Sequence, residues 1–262
     1  VTLIAALPMY DWLELRDETD ARWAAMRDGL RRRDIDAPEH LTRRNGDMPA
    51  VPGSIRDGQG NIIAADPENL PPDEFDLSVL WRHPDLLVSE ACWGPMEMGL
   101  SSHVTVIGQI DYDDIAGGSG ELYSSVIVAH RGEGRRIPPP AAGRAHLPTG
   151  FFRGKRFAFN EDESLSGYLA LKRDLEAMGM SLAIFSEKVK TGAHRASIRA
   201  VAEGKADVAA IDCKSWALAQ RVEPAAAELH AIGWTAQRKG LPLIRSRNLT
   251  AGLINPAIWA AS

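Results

Sequence analysis

The chain has 262 residues, 45% hydrophobic and 25% charged, a composition that excludes a disordered protein and leaves room for one large core or two of roughly 100 to 150 residues. A net charge of −5 supplies no basic field for nucleic acid or an anionic membrane, so any anion site has to be local. Two distant cysteines, Cys92 and Cys213, without a CxxC support neither a disulfide framework nor a zinc ribbon and leave room for one long-range bridge at most.

The opening VTLIAALPMY predicts a buried strand over 1–7. The stretch lacks a basic leading region and is too short for a signal peptide or a membrane span, so either a leader has been removed or the protein is cytosolic. A helix is expected over 11–33, with Leu13, Trp23, Met26 and Leu30 facing inward. The basic run Arg31, Arg32, Arg33, with Arg43 and Arg44 after it, reads as a solvated face. Residues 45–75 are rich in Gly, Pro, Asp and Asn, which predicts a surface excursion, either mobile or a cap, with a small hairpin at 61–64.

Short apolar runs at 86–89 (LLVS) and 104–108 (VTVIG) suit strands buried on both faces, and YSSVIVA at 123–129 is strongly β-prone. A Pro- and Gly-rich loop follows. The second half then alternates regularly: strand 156–159, helix 166–178, strand 181–185, helix 194–203, strand 207–211, helix 213–222. That alternation predicts a parallel sheet with right-handed crossovers. Two further β-prone stretches, 229–235 and 241–246, precede a tail with one short helix at most.

Two segments carry the chemistry. In FAFNEDESLSGYLALK a strand ends, a polar turn follows, and a helix starts at Ser164-Leu165-Ser166-Gly167. Free N–H groups at a helix start, two hydroxyls and a glycine that permits close backbone approach can form an oxyanion cradle; plain capping by the serines is the alternative. The second segment, VKTGAHRASIRAVAEGKADVAAIDC, places Thr191, Gly192 and His194 at another helix start. In a parallel sheet both loops lie at the carboxyl ends of strands, where open α/β folds bind ligands, so Ser164, Ser166 and His194 can converge. Asp212 ends its strand on the same edge, where it can accept from a ligand ammonium or orient His194. Asp207, at the strand's other end, reads as a turn residue.

SGYLALK after a strand, followed by TGAHRASIRAVAEGKADVAAID, closely resembles the phosphate/phosphite/phosphonate family of ABC-transporter substrate-binding proteins. The likeness is strongest over 123–211, weaker in LPMYD, SEACWGP and IGWT…GLPLI, and fades across 45–75. The resemblance implies an α/β, two-lobed type 2 periplasmic-binding-protein-like fold with the ligand cleft between the lobes. Lobe one is expected at 1–122 plus 236–262 and lobe two at 123–235, with boundaries good to about ten residues. It also implies that Ser164, Leu165, Ser166, Gly167 and His194 grip the phosphonate oxygens, and that lobe-one aromatics, Tyr10 and Trp93, close over the ligand, with Tyr123 at the crossing strand. Two departures stand out: Leu165 occupies a position where phosphonate binders of this family carry a hydroxyl, and the opening reads Pro8-Met9-Tyr10. One oxyanion donor fewer leaves room for a ligand other than a simple phosphonate.

No GxSxG, GxGxxG after a strand, GxxxxGK[ST] or HExxH occurs, and no two histidines pair at i+3 or i+4, so neither the common enzyme signals nor a metal site is supported. A Cys92/His194/Asp212 triad has nothing in the sequence to join it. The expectation is therefore a binding protein without cofactor or metal: a periplasmic monomer capturing a small phosphonate- or phosphate-like anion by hinge closure and delivering it to a permease, with no nucleic-acid partner and no direct membrane insertion. A biosynthetic enzyme or ligand sensor on the same bilobal fold is the alternative.

Overall fold

The computed structural model describes residues 2–249. The chain divides into two compact units, one formed by the described residues up to Ile110 and from Leu241 on, the other by Asp111–Gly240. In chain order the first stretch carries β1 (Ile4–Ala6), α1 (Arg16–Arg31), β2 (Ile55–Arg56), β3 (Ile62–Ala64), α2 (Leu77–Arg82), β4 (Leu86–Glu90), α3 (Trp93–Glu97) and β5 (Val104–Gln109). The other unit carries β6 (Leu122–Tyr123), β7 (Ser125–His130), α4 (Thr149–Phe152), β8 (Arg156–Phe159), α5 (Ala170–Ala177), β9 (Glu187–Lys190), α6 (His194–Ala202), β10 (Val208–Asp212), α7 (Cys213–Val222), β11 (Leu229–Trp234) and β12 (Arg238–Lys239). The chain then returns to the first unit as β13 (Pro242–Ser246).

The first unit holds a four-stranded sheet in the order β1-β4-β13-β5, with β1 and β4 parallel and β13 antiparallel to both neighbours. Both its faces are covered. On one side Trp23, Met26 and Leu30 of α1 pack on Leu87 and Val88; on the other, Val79 and Leu80 of α2 pack with Leu86 and Val104. Leu13 does not face inward: it is 70% exposed, because the helix proper starts only at Arg16 and a single 3-10 turn precedes it. Nor is β5 buried on both faces, since Val106 is 39% exposed.

Residues 45–75 form neither a loose loop nor a long extension. The hairpin β2–β3 is there, Met48 and Ile55 enter the core, and buried Asn45 accepts from the Asp76 N–H (2.8 Å) while donating to the Pro71 carbonyl (2.9 Å). One satisfied amide closes a loop that composition alone reads as polar surface.

The second unit holds a five-stranded sheet in the order β11-β7-β10-β8-β9. It is mixed rather than parallel: β9, β8 and β10 run together, but β7 is antiparallel to both β10 and β11. The regular βα alternation covers only β8 to β10, and the long connection after β7 lets that strand enter from the opposite end. Residues 181–185 are not a strand. Ser181 caps a 3-10 turn at Leu182–Ile184, Phe185 stacks on Phe157 with ring centroids 5.0 Å apart, and the strand forms afterwards as β9. The apolar run that resembles a buried strand is a core plug.

The break between units falls at 110/111 and 240/241, against the expected 122/123 and 235/236. Residues 111–122 belong to the second unit because their chain folds onto it: Gly118 lies against Tyr112, Tyr112 stacks on Tyr123 at 5.4 Å, and β6 pairs with β12. The expected tail helix lies outside the described residues.

Candidate functional site

Strands β8, β9 and β10 are parallel, so the loops that follow them leave the same edge of the sheet. Antiparallel β7 begins there, with Ser125 in register with Asp212. After β8 the backbone turns, and Ser164, in extended conformation (φ −68°, ψ 122°), starts a π turn at Leu165–Leu169 that runs on into α5. The Ser164 carbonyl accepts from the N–H groups of Tyr168 (3.2 Å) and Leu169 (3.0 Å), and that second bond spans five residues and widens the turn. The Tyr168 ring packs on Phe159 with centroids 4.8 Å apart, which pins the helix start to the strand that precedes it.

Ser164 does cap the helix: its Oγ accepts from the Gly167 N–H at 3.0 Å. Its own hydroxyl hydrogen remains available to donate. The Ser166 N–H has no partner among the described residues, as expected of a first-turn amide. The Leu165 side chain is buried, so this residue offers only backbone. A Cβ at Gly167 would collide with Asn160 Oδ1, so a larger residue there has to displace the Asn160 side chain.

The second loop is tied to the same strand end. Thr191 donates its N–H (2.8 Å) and its hydroxyl (2.9 Å) to the Phe159 carbonyl, and the Gly192 N–H reaches the Asn160 carbonyl at 3.0 Å. Gly192 has φ +85°, a left-handed conformation that glycine adopts freely. The turn delivers His194 as the first residue of α6, with its Nε2 2.8 Å from Ser166 Oγ.

His194 Nδ1 and Asn160 Oδ1 are both buried without a hydrogen-bond partner among the described residues. Unpaired buried polar atoms are uncommon, and a pair of them beside one helix start marks groups able to bond a polar ligand. Burial lowers the His194 pKa to about 4, opposed by the weaker pull of the Ala210 carbonyl, so the ring is neutral near pH 7. From below, Ser125 Oγ donates to the Ser166 carbonyl at 2.8 Å, and the Ser125 N–H donates to Thr235 Oγ1 at 2.8 Å. The edge thus presents hydroxyls, a free amide and a neutral imidazole, a set able to surround an oxyanion without a fixed counter-charge.

Asp212, buried at the end of β10, caps α7 by accepting from the Ser215 N–H at 2.8 Å. It does not orient His194, whose Nε2 meets Ser166 and whose Nδ1 is unpaired. A Cys92/His194/Asp212 triad therefore lacks its second link. Tyr123 is buried in the stack on Tyr112. No group of His, Cys, Asp or Glu able to hold a metal ion occurs among the described residues.

The first unit has its own equivalent edge. Parallel β1 and β4 end at Ala6 and Glu90, and Tyr10 and Trp93 follow them. Tyr10 is buried, and Trp93 opens α3 and packs with Met9 against the core. The two loops are joined by Glu90, fully buried, which accepts from the Met9 N–H at 3.0 Å and pairs with Arg22. The Trp81 indole N–H donates to the Glu90 carbonyl at 2.9 Å.

Sequence reasoning missed Ser125, Asn160 and Glu90. Ser125 was within reach, as the polar residue that opens an apolar strand; Asn160 and Glu90 act through contacts across 7 and 81 residues respectively (Asn160 with Gly167, Glu90 with Met9) and leave no local signal.

The family model for the ABC transporter, phosphonate, periplasmic substrate-binding protein matches residues 104–256, more than half of the chain. Among solved structures, PhnD1 from Prochlorococcus marinus, in complex with methylphosphonate, is 15% identical, with TM-score 0.62 over 98% of this chain and 82% of its own. The binding component of a phosphonate ABC transporter from Pseudomonas aeruginosa is 14% identical, with TM-score 0.59 over 97% and 72%. A Xanthomonas citri protein bound to a chloride ion is 12% identical, with TM-score 0.57 over 98% and 81%. At these identities the structures establish the type 2 periplasmic-binding-protein fold. No curated protein matches the chain. The family consists of substrate-binding proteins rather than enzymes, with a small ligand and a membrane permease as partners, and this chain belongs to it.

Proposed function

We propose that this chain captures a small phosphonate- or phosphate-like oxyanion for an ABC uptake system, and that Ser164, Ser166, the backbone of Leu165 and Gly167, and His194 are the groups that hold it. The observation that carries the reading is the 2.8 Å contact of Ser166 Oγ with His194 Nε2. It joins two helix starts that are far apart in the chain, beside buried polar atoms that lack partners. The bound methylphosphonate of the Prochlorococcus protein supports the ligand class.

In this reading the arriving oxygen takes the donors that the cradle now keeps for itself, and Ser166 turns from His194 to the ligand. Asp212, at the same edge, faces a cationic group where the ligand's organic part carries one. Tyr10, Trp93 and Tyr123 are assigned to the organic part, with capture by hinge closure of the two units. The protein works as a periplasmic monomer. No helix among the described residues is long and apolar enough to cross a membrane.

Calorimetry with methylphosphonate, phosphite and phosphate tests the assignment. Ser166→Ala and His194→Ala should each weaken the best ligand by about 1.5 to 3 kcal/mol, the worth of a hydrogen bond to a charged group, with the protein still folded. Unaltered affinity in both variants would remove the cradle as the site.

A further inference from the structure

The second unit contains a cavity of about 590 Å³ that none of the cradle residues lines. It lies along the edge strand β11, between α7 and the chain that follows β7. That chain is strapped to the strand: the Ile137 N–H donates to the Ala231 carbonyl, and the Trp234 indole N–H donates to the Ile137 carbonyl, both at 2.9 Å. The wall is therefore a fixed part of the unit.

Two indoles, Trp216 and Trp234, both buried, and two prolines, Pro138 and Pro139, give the cavity flat apolar surfaces. Arg131 and Arg136 are exposed and stand at the mouth. Arg136 has no hydrogen bond or ion pair among the described residues, and Arg131 spends only its Nε, on the Leu229 carbonyl at 3.4 Å. In a chain of net charge −5, no aspartate or glutamate lines this cavity.

We propose that this cavity is a second ligand site, for a planar aromatic carboxylate. Its volume falls in the range of small-molecule sites, which pair an apolar body with a few placed polar groups. The indoles and prolines fit a flat ring, a surface that a phosphonate-sized anion with no apolar body would not cover, and a guanidinium at the mouth can meet a carboxylate in bidentate geometry. The site stands independently of the cradle's assignment.

The test uses 2-naphthoate as probe, with its neutral amide as control, followed by calorimetry and ligand-observed NMR. The wild type should bind 2-naphthoate saturably in the millimolar range or tighter, and the amide about tenfold more weakly or worse. The exposed double variant Arg131→Gln, Arg136→Gln should lose about tenfold or more toward 2-naphthoate and keep its methylphosphonate affinity. Ser166→Ala should leave 2-naphthoate binding unchanged. Absence of saturable binding, equal affinity in the double variant, equal affinity for the amide, or loss of the probe in Ser166→Ala would each overturn the proposal.

Discussion

The two units solve the same construction problem with opposite electrostatics. Each has a sheet edge where parallel strands end and two loops must be held side by side. In the second unit the loops after β8 and β9 are held by neutral bonds: Thr191 and Gly192 on the strand end, Ser125 under Ser166, and His194 uncharged. In the first unit the loops after β1 and β4 are held by a fully buried carboxylate, Glu90, shared between the Met9 amide and Arg22. A buried ion pair keeps its own charges satisfied and has little left for a ligand. A neutral, partly unsatisfied edge leaves donors free for one. The difference suggests a division between an edge built for support and an edge built for binding.

The sharpest way to break that comparison is Glu90→Ala. It strands Arg22 and the Met9 amide, and removing one partner of a buried pair costs about 3 kcal/mol, toward the lower end because the Arg22 side chain stays 30% exposed. Denaturant unfolding should show the loss; a neutral effect would mean that Glu90 supports nothing. Gly167→Ala should act on the other edge. Its Cβ meets Asn160 Oδ1, so it should cost about 2 kcal/mol of stability as overpacking does and cut oxyanion affinity by more than tenfold. Affinity equal to wild type would show that the cradle needs no glycine.

The smallest effect is the pH response of the neutral edge. His194 has its pKa lowered from the ordinary value of 6.5 to about 4, so between those values the unfolded chain takes up a proton that the native ring refuses. Stability is therefore full above about pH 6.5 and falls as the pH drops toward 4, by roughly 1 to 3 kcal/mol in total. His194→Asn should flatten that part of the curve. An NMR titration of the ring with a midpoint near 6.5 would contradict a buried neutral histidine, and a bound oxyanion should move the midpoint upward.

Elements whose signal is local were legible. The helix over Cys213–Val222 matches its expected bounds, and the starts at Ser164 and His194 lie where Ser-x-Ser-Gly and Thr-Gly-Ala-His put them. Capping hydroxyls, a left-handed glycine and apolar spacing act within a few residues, so the chain order displays them. Strand direction was not legible: an apolar run such as SVIVA is equally buried whichever way it runs, and only the path of the connection decides. The same holds for residues 181–185, where Phe185 chose an aromatic stack over a sheet position.

By itself, then, the sequence determined where helices start, which runs are apolar, and that two polar turns follow two strands of one βα alternation. Only the tertiary structure decided that those turns meet, that Ser166 and His194 touch while Asp212 turns away to cap its own helix, and that Glu90 rather than any predicted residue locks the other edge. The reason is physical. Capping and periodicity are short-range and written in neighbouring residues, whereas hydrogen bonds across 28 or 81 positions depend on sheet order, which no local pattern encodes.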